Sequence, residues 1–179
     1  MLGKLVDITL HVGNFRSFEL MYTGAYRLRV TCSKSDGELL MPYCVQTGES
    51  LSIVNTSDFF ELYKGHCNYK DNSYISSSFY IDYGDSFKEI NQLCVFRAVF
   101  NEGEITDVYF KFELKMLQGS KCKAADDAKE FVPVGTARII ASQIDGGMHK
   151  YQPVIFSDCH FCYVEAFVHC NYMGSYYLN

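Results

Sequence analysis

The sequence has no tryptophan and only 3 prolines among its 179 residues. So few prolines leave the turns to Gly, Asn, Asp and Ser, which reach tight-turn and left-handed backbone angles. No run approaches the roughly 18 consecutive apolar residues of a transmembrane helix, so no transmembrane segment is expected. Met1 to Leu10 carry Asp7 and lack both a long apolar region and a cleavage site, so they do not read as a signal peptide. Positive charge is also in short supply, with 16 Lys and Arg against 21 Asp and Glu and a net charge of −5. Broad nucleic-acid binding needs cations to displace phosphate counterions, so no nucleic acid is expected as a partner. A local basic face is compatible with this balance. There is no G-x-G-x-x-G, no phosphate loop and no G-x-S-x-G elbow. The nearest fragments, Gly13-Asn14-Phe15-Arg16-Ser17 and Gly84-Asp85-Ser86, have the wrong spacing. No set of residues can be assigned nucleophile, base and oxyanion roles, so the expectation is a protein that is not an enzyme and has no catalytic residues.

What is present is strand pattern. The chain is 48% hydrophobic and carries 14 Tyr and 14 Phe, residues that suit a pleated surface. At 107–116, Val108, Phe110, Phe112, Leu114 and Met116 alternate with Asp107, Tyr109, Lys111, Glu113 and Lys115, which is the period of a half-buried strand. Tyr26, Leu28, Val30 and Cys32 alternate with Arg27, Arg29, Thr31 and Ser33 in the same way, and Val6 to Val12 form a first strand that Gly13, Asn14 and Ser17 should end in a turn. Ser35-Asp36-Gly37 reads as a turn, and Leu39 to Gln46 as a strand that Pro42 confines to an edge or a bulge. Phe59 to Tyr63 has moderate strand character. Tyr74 to Tyr83 reads as one strand closed by Gly84-Asp85-Ser86. Leu93 to Phe100, apolar on both faces except at Arg97, belongs in the middle of a sheet. The four residues Asn101-Glu102-Gly103-Glu104 then predict a β-hairpin into the strand at 105–116. Gly119 to Glu130 is a polar loop or a short helix, Val134 to Ser142 a strand, and Pro153 to Cys170 one long strand or two. The sum is an all-β protein, an antiparallel β-sandwich of about eight or nine strands with at most a short helix, in a single domain over 1–179.

Four groups of residues invite chemistry. Cys159, Cys162, His169 and Cys170 would have to converge tetrahedrally to hold zinc. On a strand, 159 and 162 point to opposite faces, as do 169 and 170, so no metal and no other cofactor is expected and a zinc-stabilised module stays the minor alternative. Without secretion, the 8 Cys read as reduced thiols filling space. Asp82 with Asp85, and Asp126 with Asp127, are too sparse for calcium, which takes six to eight oxygens. Arg27 and Arg29 share one polar strand face and Lys111 and Lys115 another. If those strands were neighbours, the four would form a basic stripe for anionic lipid headgroups or an acidic partner, weakened by Glu113. The alternative for them is a solvated face with cross-strand ion pairs. His149 and Lys150, after the Gly146-Gly147 turn, are conspicuous loop residues of the kind that touch partners.

Several segments resemble the N-terminal region of the "family with sequence similarity 135" proteins. They are Glu19-Leu20 with Thr23-Gly24-Ala25-Tyr26-Arg27-Leu28-Arg29, then Gly147-Met148-His149-Lys150-Tyr151-Gln152-Pro153-Val154-Ile155-Phe156, His160-Phe161 and Val168-His169. Ala25 stands where the family pattern has an aromatic residue. The resemblance implies a C2-like sandwich of unassigned function that acts as a targeting or interaction module. The family carries a lipase-like α/β-hydrolase domain far downstream. No residue here corresponds to it, so no lipase activity is carried over. The resulting expectation is a cytoplasmic, non-enzymatic, calcium-independent module that docks on an anionic membrane surface or a protein partner. Arg27, Arg29, Lys111, Lys115 and His149 are its candidate contacts. The alternative is a structural subunit or scaffold piece using its sheet edges and the tail Asn171 to Asn179.

Overall fold

In a computed structural model, residues 2–19, 21–42, 66–68, 70–101, 108–117, 131–144, 150–158 and 162–177 are described. They form eleven strands: β1 (Leu2–Ser17), β2 (Gly24–Ser33), β3 (Met41–Pro42), β4 (His66–Asn68), β5 (Ser73–Ile75), β6 (Phe79–Ile81), β7 (Phe87–Phe100), β8 (Tyr109–Leu117), β9 (Phe131–Ile140), β10 (Gln152–Ile155) and β11 (Cys162–Tyr177). The one helical element among the described residues is a 3-10 turn at Ala141–Gln143. The strands build two antiparallel sheets. The first has the order β10-β11-β1-β7-β3, and the second β4-β5-β2-β8-β9 with β6 also paired to β2. The expected antiparallel sandwich is the observed architecture.

The alternating residues account for the core. Ile8 and Leu10 from β1, Phe96 and Phe100 from β7, Tyr26 and Leu28 from β2, and Phe110, Phe112 and Leu114 from β8 are fully buried between the sheets. Phe96 and Phe110 meet across the interior with ring centroids 6.2 Å apart, and Phe79 lies beside both Phe15 and Tyr26. Buried Tyr26 satisfies its hydroxyl by donating to the Tyr22 carbonyl at 2.6 Å. The first sheet is buried on its other face as well: Thr9, Leu93, Val95 and Phe167 are inaccessible there, and Arg97 donates two hydrogen bonds to the buried Asp7 carboxylate directly opposite it, at 2.6 and 2.9 Å. That pairing explains how a lone Arg sits in the otherwise apolar β7.

Several boundaries differ from the sequence reading. β1 does not turn at Gly13 but runs on to Ser17, with its registers against both neighbours slipping just after Val12. Gly13 is thus a bulge, where a Cβ would meet the Tyr151 ring at 2.8 Å. The span 74–83 is two short strands on β2 rather than one. β7 and β8 do not form the expected hairpin. Both edges of β7 are taken by β1 and β3, both edges of β8 by β2 and β9, and the chain changes sheets between them. Pro42 lies in the edge strand β3, as its missing N–H requires. The predicted tail is mostly strand, since residues up to Tyr177 pair with the start of β1. The strand at 59–63 and the loop or helix at 119–130 lie outside the described residues, as do 43–46 of the strand predicted after Leu39.

Candidate functional surface

β2 and β8 are neighbours, so the four cations of the expected stripe do share one face, the outer face of the second sheet. Across β2, β8 and β9 the register sets them in rows: Arg27, Lys115 and Pro133; Arg29, Glu113 and Thr136; Thr31, Lys111 and Arg138; Ser33, Tyr109 and Ile140. Rows two residues apart are spaced by about 7 Å. The second row is neutralised. Arg29 donates to Glu113 and, at 2.8 and 3.1 Å, to Asp71, whose carboxylate also accepts from the Ser73 hydroxyl at 2.5 Å. Burial works against charge at Arg29, Glu113 and Asp71. The mutual hydrogen bonds outweigh it, raising the Arg29 pKa and lowering those of both carboxyls.

The stripe is therefore split into two cationic patches. One is Arg27 with Lys115, directly opposed on adjacent strands. Lys115 has no carboxylate in ion-pair range among the described residues. The other is Lys111 with Arg138, again cross-strand neighbours. Lys111 is half exposed and lies 3.5 Å from Glu113, while the Arg138 guanidinium sits over the Tyr109 ring at 4.6 Å. Sequence reasoning did not single out Arg138. The signal was there, because Thr136, Arg138 and Ile140 alternate on the strand predicted at 134–142.

A second feature borders the Arg27–Lys115 patch. The Ser17 amide donates to the Ser86 carbonyl at 3.0 Å, and Ala25 pairs with Tyr80, which brings the β1–β2 and β6–β7 connections to one end of the sandwich. Phe18, Tyr22 and Tyr83 stand there 77%, 70% and 81% exposed, with Tyr80 and Phe87 partly exposed beside them. Exposed rings with a polar tip suit a boundary between water and apolar matter.

The other candidates resolve differently. His149 lies outside the described residues, and Lys150 beside it is exposed. Cys159, His160, Asp126 and Asp127 also lie outside them. Cys162 and Cys170 are eight residues apart on one extended strand, about 26 Å, so they cannot ligate one ion. Asp82 and Asp85 are occupied by their own turn. Asp85 accepts from the Asp82 amide at 2.9 Å and pairs with Lys88 at 3.0 Å, and these contacts hold its pKa down. Cys32, Cys94 and Cys162 are buried cysteines, consistent with packing roles. No helix among the described residues is long and apolar enough to cross a membrane.

Residues 109–171 match the family model described as Protein FAM135. The resemblance read from the late sequence segments is borne out over that span. The matched segment runs from the start of β8 through β9 and β10 into β11, and so includes Lys111, Lys115 and Arg138 of the basic face. No curated protein matches the chain.

Proposed function

We propose that this protein is a non-enzymatic, calcium-independent docking module whose outer second-sheet face binds anionic membrane surfaces. The observation that carries the reading is the β2–β8 register, which sets Arg27 opposite Lys115 and places Lys111 two rows further along the same outer face of an otherwise acidic chain. A protein with net charge −5 is repelled as a whole from an anionic bilayer, so its attraction must come from such a local concentration of cations. The exposed aromatic end next to Arg27 and Lys115 adds rings of the kind that settle at a headgroup boundary. Arg29 has a different part: held by Glu113 and Asp71, it fixes the β2–β8–β5 surface on which the others stand. Docking takes place from the cytoplasmic side, where membranes carry anionic lipid.

Cosedimentation with vesicles in chelator tests this. Binding to phosphatidylserine-containing vesicles and not to neutral phosphatidylcholine vesicles is expected. Equal behaviour toward both, or a requirement for added calcium, would end the proposal. A chain that ignores vesicles but assembles into oligomers would favour the scaffold reading.

A further inference from the structure

The second cationic patch is concave. A groove of about 540 Å³ lies over the row Thr31, Lys111, Arg138. Its walls come from the turn after β2, at Gly37 and Leu39, and from the end of β10, at Ile155 and Ser157. Both walls are held by backbone bonds. The Gly37 amide donates to Lys34 with the glycine at φ +91°, and Ser157 and Thr136 exchange backbone hydrogen bonds while the Ser157 hydroxyl donates to the Thr136 carbonyl at 3.0 Å. Among the described residues the lining contains two cations, hydroxyls from Thr31, Ser33, Thr136 and Ser157, and no carboxylate. Of the nearby acids, Glu38 pairs with Lys34, and Glu113 is held by Arg29 while its other oxygen lies 3.5 Å from Lys111 at the groove's edge, leaving Arg138 without a carboxylate partner among the described residues. The rim is apolar: Leu39 is 44% and Ile155 66% exposed.

We propose that this groove binds a phosphomonoester carried on a lipid headgroup. A phosphomonoester carries close to two negative charges near neutral pH and offers three acceptor oxygens, which matches one ammonium, one guanidinium and several hydroxyls. Arg138 supplies the planar, two-pronged donor and Lys111 the mobile point charge. The volume suits a headgroup-sized ligand. Polar floor and apolar rim follow the order a lipid presents, charge at the headgroup and hydrocarbon beside it, and this selects a lipid as the source over a free anion. The inference rests on the membrane reading above but adds selectivity to it. The Arg27–Lys115 patch responds to surface charge, whereas the groove recognises one headgroup chemistry.

The experiment compares vesicles containing a phosphatidylinositol monophosphate with vesicles brought to the same total charge by phosphatidylserine, for the full chain and for the exposed-site variant Lys111→Gln/Arg138→Gln. The unsubstituted chain should bind the monophosphate vesicles about tenfold or more tighter, and the variant should lose that preference, its affinities for the two vesicles falling to one common value. No preference, or a preference that survives the double substitution, overturns the groove and leaves the membrane reading standing. Failure to bind either vesicle overturns the membrane reading. Binding of inorganic phosphate or of a soluble inositol phosphate by a chain that ignores all vesicles refutes the lipid source.

Discussion

Replacing Lys115 by Glu separates docking from folding, because the two respond in opposite directions. In the β2–β8 register Lys115 lies directly opposite Arg27, a like-charge pair of the kind that destabilises a sheet. Lys115→Glu turns it into an attractive pair and should add about 0.5–1 kcal/mol to stability. The new carboxylate stands one row, about 7 Å, from Glu113 and replaces the Lys115 charge that helps hold the Glu113 pKa down, which offsets part of that gain. For a chain of this length, 1 kcal/mol moves the thermal midpoint by about 2–4 °C, so a small rise is expected. The same substitution changes the charge presented to a bilayer by two units. At about 1 kcal/mol per basic residue near an anionic surface, the loss is about 2 kcal/mol, or roughly thirtyfold in affinity for phosphatidylserine vesicles at low salt. Thermal unfolding and vesicle cosedimentation on the same preparation give both readings. Undiminished vesicle affinity refutes the reasoning about the docking face. Weaker binding accompanied by a fall in stability refutes the register-based account of the variant.

Three further outcomes follow from the packing and the charges. Phe112→Ala removes a fully buried ring between the sheets and should cost about 3–5 kcal/mol, read from the urea midpoint; a loss under 1 kcal/mol would contradict its core position. Gly13→Ala places a methyl 2.8 Å from the Tyr151 ring, whose edge rests on Phe167 with centroids 4.8 Å apart, and should cost about 1–2 kcal/mol and alter the near-ultraviolet circular dichroism, whereas an unchanged spectrum would speak against the bulge packing. Glu113 and Asp71 titrate below their ordinary values of 4.5 and 3.8, so their contribution is complete above those values and is lost as pH falls through the lowered ones. Glu113→Gln should therefore lower stability by about 1 kcal/mol at neutral pH and flatten the acid limb of the stability profile; parallel profiles for the two proteins would contradict the Arg29 network.

The parts of this structure legible in the sequence are those where one face is wet and the other dry. β2 and β8 alternate cleanly, so their faces, and the placing of Arg27 with Arg29 and of Lys111 with Lys115, are legible in the sequence, whereas the pairing that joins the two strands is set by the fold. β7 was harder. Its second face is also buried, and Arg97 is hidden by a partner, Asp7, ninety residues away. The glycine at 13 carries the same local signal for a turn as for a bulge, and only the packing of Tyr151 and the two neighbouring strands selects the bulge. The short polar run after Phe100 suggests a hairpin because sequence shows loop length but not which strand edges are already taken. Arg138 escaped notice for a similar reason. A single cation on a weakly patterned strand gains meaning only when the β8–β9 register places it beside Lys111.

The most direct test of the docking claim asks which face meets the lipid. With the protein bound to phosphatidylserine vesicles that carry a nitroxide at the headgroup, paramagnetic broadening of backbone amide signals should concentrate on β2, β8 and the exposed aromatic end, and spare the outer face of the first sheet. Broadening centred on β10 and β11, or spread evenly over both sheets, would contradict the assignment of the basic second-sheet face as the docking surface.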